Sequence, residues 1–208
     1  MIELKRWLNE VPLVAILRGV EPDKAADIAT AVVDAGVRVV EVPLNSPRPL
    51  ESIAAIVEAV GDRALVGAGT VLQAFQVAAI AEVGGSLIVA PNFDPAVGEA
   101  ARDEGAAWIP GVLTPTEAFA ALDAGASALK LFPASASSPA ALRAMCSVLP
   151  ADALVLPVGG VGASDFGSWW DAGARGFGIG GRLYKPGRTP AEVGAMARSL
   201  VAAATALR

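Results

Sequence analysis

The chain contains no histidine. That absence rules out Ser-His-Asp and Cys-His nucleophile systems and leaves a catalytic zinc without its usual ligands. Acid–base chemistry must fall to Glu, Asp, Lys, Tyr or ordered water. The one cysteine, Cys146, excludes an internal disulfide and a multi-cysteine metal site, and reads as a small buried hydrophobe on a helix. Charge is scarce too: charged residues are 18% of the 208, the formal net charge is -5, and no Lys/Arg stripe marks a nucleic-acid partner. No run of about 20 apolar residues appears, so no membrane span is expected. Residues Met1 to Glu10 carry Glu3, Lys5, Arg6 and Glu10 where a secretion signal would be apolar. A soluble, cytoplasmic protein is expected.

What is plentiful is small apolar residues, with 54% hydrophobic overall, enough to build a sizeable core at this length. Short β-rich segments recur at Val11–Leu17, Val37–Pro43, Ala64–Gly69, Ser86–Pro91, Ala106–Val112, Ala128–Pro133, Leu154–Gly160 and Gly176–Gly181. Their starts lie 20 to 27 residues apart, the size of a compact βα unit. Helix starts fall between them. Thr114-Pro115-Thr116-Glu117 and Thr189-Pro190-Ala191-Glu192 read as capping boxes with proline at the first helical position, and Asp94-Pro95 and Ser138-Pro139 as N-caps. Ala35-Gly36, Val83-Gly84, Glu104-Gly105, Ala124-Gly125 and Ala172-Gly173 read as helix stops.

Eight such units predict an α/β chain: one (β/α)8 TIM barrel domain over residues 1–208. The chain is shorter than the ~250 residues typical of that fold, so its loops must be short. A small helix over Leu4 to Leu8 is expected to close the barrel bottom. The alternative, a doubly wound open sheet, lacks a Gly-x-Gly-x-x-Gly after the first strand.

In a barrel the chemistry gathers at the C-terminal strand ends. Those ends carry Arg18, Glu41, Thr70, Pro91 with Asn92, Lys130, Gly159-Gly160 and Gly180-Gly181. Lys130 is the most telling: it interrupts the apolar run Ala128-Leu129-Lys130-Leu131-Phe132-Pro133. A desolvated amine loses its proton more readily, and a neutral amine attacks carbonyls to form a Schiff base. The plainer alternative is a lysine that snorkels to solvent. Period-2 geometry puts Val14, Ile16 and Arg18 on one face, with Val37, Val39 and Glu41, and Ala128, Lys130 and Phe132, on corresponding faces. Arg18, Glu41 and Lys130 are thus expected inward at similar heights. Arg18 can bind a substrate carboxylate with its planar guanidinium or form a structural ion pair with Glu41. Glu41 is the only general-base candidate at that height. Thr70 can cap the next helix or bond substrate. Phe132 with Pro133 is expected to wall the amine and keep it partly dry. The glycine pairs let backbone N–H groups approach an anion, and phosphate is commonly held after the seventh and eighth barrel strands.

The stretches Ile16-Leu17-Arg18-Gly19, Val40-Glu41-Val42-Pro43-Leu44-Asn45-Ser46-Pro47, Gly67-Ala68-Gly69-Thr70-Val71, Ile88-Val89-Ala90-Pro91-Asn92, Ala128-Leu129-Lys130-Leu131-Phe132-Pro133 and Val158-Gly159-Gly160-Val161 occur in that order. On them the chain resembles the class I 2-keto-3-deoxy-6-phosphogluconate and -galactonate aldolases, from about Pro12 to Tyr184. The resemblance implies a (β/α)8 barrel, commonly a homotrimer, without metal or other cofactor. It implies Lys130 as Schiff-base lysine, Glu41 as acid/base, and Arg18 and Thr70 near the pyruvoyl end. It further implies Pro91, Phe132 and Val158 as substrate contacts, and Gly159, Gly160, Gly180 and Gly181 around the phosphate. Its partners would be a phosphorylated 2-keto-3-deoxy sugar acid and pyruvate.

Pro43-Leu44-Asn45-Ser46-Pro47 and Val158 are similar to the galactonate branch, cleaving 2-dehydro-3-deoxy-6-phosphogalactonate to pyruvate and D-glyceraldehyde 3-phosphate. Gluconate enzymes tend to carry Thr-Leu-Arg-Thr and a threonine at those places. At Gly181 many relatives carry serine, so phosphate help must come from another side chain, with Arg182 adjacent. A 2-dehydro-3-deoxy-6-phosphogluconate or 4-hydroxy-2-oxoglutarate aldolase is the alternative within the family. A phosphosugar isomerase or a phosphosugar-binding barrel is the alternative outside it.

Overall fold

The computed structural model describes residues 2–208; Met1, the first residue of the expected domain, lies outside the described residues. Among the described residues, nine parallel strand segments are interleaved with helices, save that the fifth and sixth follow each other directly. The strands are β1 (Leu13–Ile16), β2 (Val39–Pro43), β3 (Leu65–Gly69), β4 (Leu87–Val89), β5 (Ala107–Ile109), β6 (Gly111–Val112), β7 (Leu129–Leu131), β8 (Val155–Pro157) and β9 (Phe177–Ile179). Between and around them lie α1 (Ile2–Glu10), α2 (Pro22–Asp34), α3 (Pro49–Val60), α4 (Phe75–Glu82), α5 (Pro95–Asp103), α6 (Pro115–Asp123), α7 (Pro139–Cys146), α8 (Phe166–Asp171) and α9 (Pro190–Thr205). No helix among the described residues is long and apolar enough to cross a membrane.

All eight expected strands form, in shorter versions, and the fifth is broken in two. Pro110 has no N–H to give to a ladder, so β5 and β6 pair on opposite sides of it. One sheet runs β5-β4-β3-β2-β1-β9 and the other β6-β7-β8. A parallel bridge between Val158 and Gly178 links the end of β8 to β9.

The helix signals are realised in hydrogen bonds. Thr114 and Glu117, and Thr189 and Glu192, form reciprocal capping boxes. Asp94 accepts from the Ala96 N–H and Ser138 from the Ala141 N–H. The glycines at the five expected stops all have positive φ, from +67° at Gly105 to +114° at Gly173, which a Cβ disfavours. The N-terminal helix, expected over Leu4 to Leu8, extends over Ile2–Glu10.

Neighbouring residues of each strand part into two cores. Ala15, Val40, Val66, Ile88, Trp108, Val155 and Phe177 face the helices, packed with Ile28, Ile53, Ile56 and Ile80. Val14, Val39, Leu65, Leu87, Ala107, Ile109 and Leu156 face the other way, packed with Leu4, Trp7 and Leu8 of α1. Helix α1 therefore covers this second core through Leu4, Trp7 and Leu8. Val37, expected on the inner face with Val39, instead joins the helix-side core. It precedes β2, and the turn after α2 sets its direction in place of strand alternation.

Candidate active site

Two residues along from the inner core, the same strand faces turn polar. On β2, Val39 is followed by Glu41; on β7, Lys130 lies two residues after Ala128. Both ionisable side chains are buried, Glu41 at 2% exposure and Lys130 at 5%. The snorkelling alternative for Lys130 therefore fails. Neither forms a salt bridge among the described residues, and Glu41 Oε2 has no hydrogen-bond partner.

Burial dominates their electrostatics. Lys130 is pushed below the ordinary lysine range by desolvation; Glu41 opposes this and Arg18 reinforces it. Glu41 is pushed above the ordinary carboxylate range by desolvation, against the pull of Lys130 and Arg18. Both groups are thereby moved toward their neutral forms, as a nucleophilic amine and a proton-transferring carboxyl require.

Lys130 forms part of the wall of a cavity of about 560 Å³ at the C-terminal strand ends, shared with Arg18, Phe132, Val158 and the glycines Gly159, Gly160, Gly180 and Gly181. Its Nζ lies 4.9 Å from the Phe132 ring centroid. Beneath, a void of about 10 Å³ lies between Glu41, Ile16, Ile109 and Leu156 and also touches Lys130 and Val158. Lys130 thus stands between the open cavity and the buried carboxylate.

Arg18 is placed differently from expectation. It lies two residues past the end of β1, in a turn that Gly19 takes at φ +80°, and it is exposed. It is not level with Glu41 and Lys130, nor is it salt-bridged to Glu41. Its guanidinium donates to Asn45 Oδ1 at 2.6 Å, while the Gly19 N–H donates to Ser46 Oγ at 2.9 Å. The Asn45-Ser46 pair therefore holds the Arg18 turn at the cavity rim. These two positioning residues were not singled out individually in the sequence, since only the three-dimensional meeting of two loops reveals them.

Thr70 does not cap α4, whose N-cap is Ala74 with no side-chain bond. It follows β3 in the left-handed region, φ +57°, an unusual conformation for a β-branched residue, of the kind that costs roughly 1–3 kcal/mol and gathers at functional sites. Pro91 is half-buried past β4, where Gly111 leaves room for its carbonyl. Neither Thr70 nor Pro91 lines the large cavity. Val158 does, and its side chain packs where a Cβ on Gly178 would otherwise sit.

The mouth of the cavity is suited to an anion. Gly159 and Gly160 take φ +99° and +87°, and the N–H groups of Gly160 and Gly181 donate to no protein acceptor among the described hydrogen bonds. Gly180 opens a turn by accepting from Leu183 and Tyr184. That turn brings Arg182 and Lys185 to the cavity. Lys185 was not anticipated; its Cε lies 3.7 Å from where a Gly181 Cβ would stand. Only the turn geometry makes it visible.

The KDPG and KHG aldolase family matches residues 4–189. The chain is 48% identical over 198 residues to the 2-dehydro-3-deoxy-6-phosphogalactonate aldolase of Escherichia coli (strain K12), covering 95% of this chain and 97% of that protein. A structure described as native KDPGal superposes with a TM-score of 0.93 at 47% identity, covering 95% of this chain and 96% of that one. A cube-shaped, highly porous cage designed by fusing symmetric oligomeric domains matches with the same TM-score and identity, over 95% of this chain and 73% of that one. A buried lysine over a buried glutamate, the ordered motifs around them and the match to nearly the whole chain lead to one conclusion: this chain belongs to the KDPG and KHG aldolase family.

Proposed function

We propose that this chain is a class I aldolase that cleaves 2-dehydro-3-deoxy-6-phosphogalactonate reversibly to pyruvate and D-glyceraldehyde 3-phosphate. The carrying observation is the buried Lys130 amine at the floor of an open cavity, with the buried Glu41 carboxyl beneath it.

Lys130 Nζ attacks the C2 ketone. Glu41 gives a proton to the departing hydroxyl as the carbinolamine loses water to an iminium; the small void beside both groups has room for at most one bridging water. The iminium draws electrons from the C3–C4 bond. Glu41 takes the proton of the C4 hydroxyl, the bond breaks, the aldehyde leaves and an enamine remains. Glu41 returns the proton to C3, and water hydrolyses the iminium to pyruvate and free Lys130. Arg18 at the rim holds the C1 carboxylate, and Phe132 keeps the amine dry. The family resemblance assigns Thr70 to the pyruvoyl end and Pro91 to substrate contact; the strained φ of Thr70 supports a role there. The N–H groups of Gly159, Gly160, Gly180 and Gly181 cradle the phosphate, with Lys185 and Arg182 supplying charge. The groups invoked are all side chains and backbone of the protein, and the mechanism calls for no metal or other cofactor.

We infer one closed (β/α)8 barrel domain over residues 1–208. The Val158–Gly178 bridge at one junction and the continuity of β5 and β6 through Pro110 at the other support closure. We infer a homotrimer, supported by the exposed Phe75 (77%) beside an apolar groove edged by Leu44 and Leu50, and by the likeness to a cage built from symmetric oligomeric domains. We infer a cytoplasmic location, because a phosphorylated sugar acid does not cross a bilayer unaided.

The galactonate preference rests on Val158 and on the 48% identical relative. A hydroxyl at that position would bond the sugar chain, and valine offers none. The test is pyruvate release from the two C4 epimers of the phosphorylated substrate, for wild type and Val158→Thr. The galactonate epimer should be cleaved faster, and the substitution should shift the ratio toward gluconate. An unchanged ratio removes Val158 from specificity. No pyruvate from either epimer, with interconversion of phosphosugars or binding alone, brings forward an isomerase or a binding barrel.

A further inference from the structure

The inner face of β3 reads Leu65, Gly67, Gly69, so two of its three inward positions carry no side chain. The two glycines are empty for different reasons. A Cβ on Gly67 would lie 2.0 Å from the Leu87 carbonyl oxygen and 2.6 Å from the Leu87 nitrogen, so this glycine serves the β3–β4 ladder. A Cβ on Gly69 would meet one side chain before anything else. Its three nearest atoms are Glu41 Oε2 at 1.3 Å, Cδ at 2.3 Å and Oε1 at 2.8 Å. The carboxyl of Glu41 therefore fills the place of the Gly69 side chain. Gly69 has no positive φ, so its backbone does not demand glycine.

The same carboxyl lacks the usual anchors. Oε2 is buried and makes no hydrogen bond, and Lys130 forms no salt bridge with it among the described residues. Buried polar atoms are normally satisfied, so an orphaned one needs a reason. Here, shape replaces hydrogen bonding as the positioning device. A carboxyl held by a hydrogen bond would have that lone pair committed; one held by a steric recess keeps both oxygens free to exchange a proton with substrate or water.

We propose that Gly69 is a positioning residue for the reaction: its missing Cβ forms the recess that places the Glu41 carboxyl under Lys130. This rests on the role assigned to Glu41 above. The first atoms that Gly69→Ala meets belong to the far end of one side chain, so Glu41 turns away. Gly67→Ala, by contrast, strikes backbone.

The experiment follows deuterium entry into the pyruvate methyl group by NMR, which reports proton transfer at C3 without any aldehyde, alongside borohydride trapping of the pyruvate imine and thermal melting. Gly69→Ala is expected to keep the trapped adduct and to slow exchange by about tenfold or more, a fraction of what general acid–base catalysis supplies. Shortening the side chain makes room for the new methyl, so Glu41→Asp/Gly69→Ala should exchange faster than the product of the two single losses. It should also fold even if Gly69→Ala does not. Exchange within twofold of wild type in Gly69→Ala, or losses that simply multiply, overturns the proposal. If Glu41→Gln alone leaves exchange unchanged, the assignment of Glu41 fails instead, and the two failures are distinguishable.

Discussion

The inner face of the strands has two ends that differ by one step of strand alternation. At the N-terminal end Val14, Val39, Leu65 and Ala128 pack against Leu4, Trp7 and Leu8. Two residues further, Val39 gives way to Glu41 and Ala128 to Lys130, both still nearly as buried as the valine and alanine before them. The difference teaches how the site works. The apolar end excludes water from one side, so the polar end inherits a low dielectric in which an amine and a carboxyl are driven toward neutrality. Above Lys130, the wall changes again to glycines, Arg182 and Lys185, where charge stays in contact with solvent.

The contrast can be broken from either end. At the reactive end, Glu41→Gln should lower kcat by roughly 10²- to 10⁴-fold while the pyruvate imine still forms; wild-type kcat would remove Glu41 from the mechanism. At the sealed end, Leu4→Ala should cost about 2–5 kcal/mol in urea denaturation, because the fully buried side chain leaves a cavity. A loss below about 1 kcal/mol would mean that α1 does not seal the core.

The mouth responds differently. Lys185→Ala should raise KM for the phosphorylated substrate by about tenfold, since a charge-assisted contact to phosphate is lost. Pyruvate trapping should be unaffected; an equal loss with the unphosphorylated substrate would show that Lys185 does not read the phosphate.

The smallest effect is one of sign. Attack needs the free amine, so imine formation falls off at low pH as Lys130 takes up its proton. Arg18 adds like-charge repulsion that lowers the Lys130 pKa. Arg18→Met should therefore move the acidic limb to higher pH. Glu41 opposes the lowering, so Glu41→Gln should move it to lower pH. Arg18 is exposed and screened by solvent, which keeps its effect the weaker of the two. Limbs that move in the same direction would contradict the assigned electrostatics.

Much of this was legible in the chain itself because it is local. Capping boxes at Thr114 and Thr189 and the glycine stops depend on a few adjacent residues. The inward direction of Glu41 and Lys130 follows from counting in twos along an apolar strand. Where the counting left the strand it failed: Arg18 and Val37 lie outside β1 and β2, and their directions are set by turns. Pro110 did carry a local sign of a strand break, which the composition of Ala106–Val112 obscured. The remainder is tertiary. Asn45 over Arg18, Lys185 beside Gly181, and the Glu41 carboxyl in the recess of Gly69 join residues far apart in sequence, and no periodicity reveals them.

The central claim is that the buried amine of Lys130 is the nucleophile. Borohydride reduction in the presence of pyruvate, followed by peptide mass mapping, tests it most directly. A pyruvate-sized adduct on Lys130, absent in Lys130→Ala, is the predicted result. A folded protein that gives no adduct, or carries it on another lysine, would contradict the account.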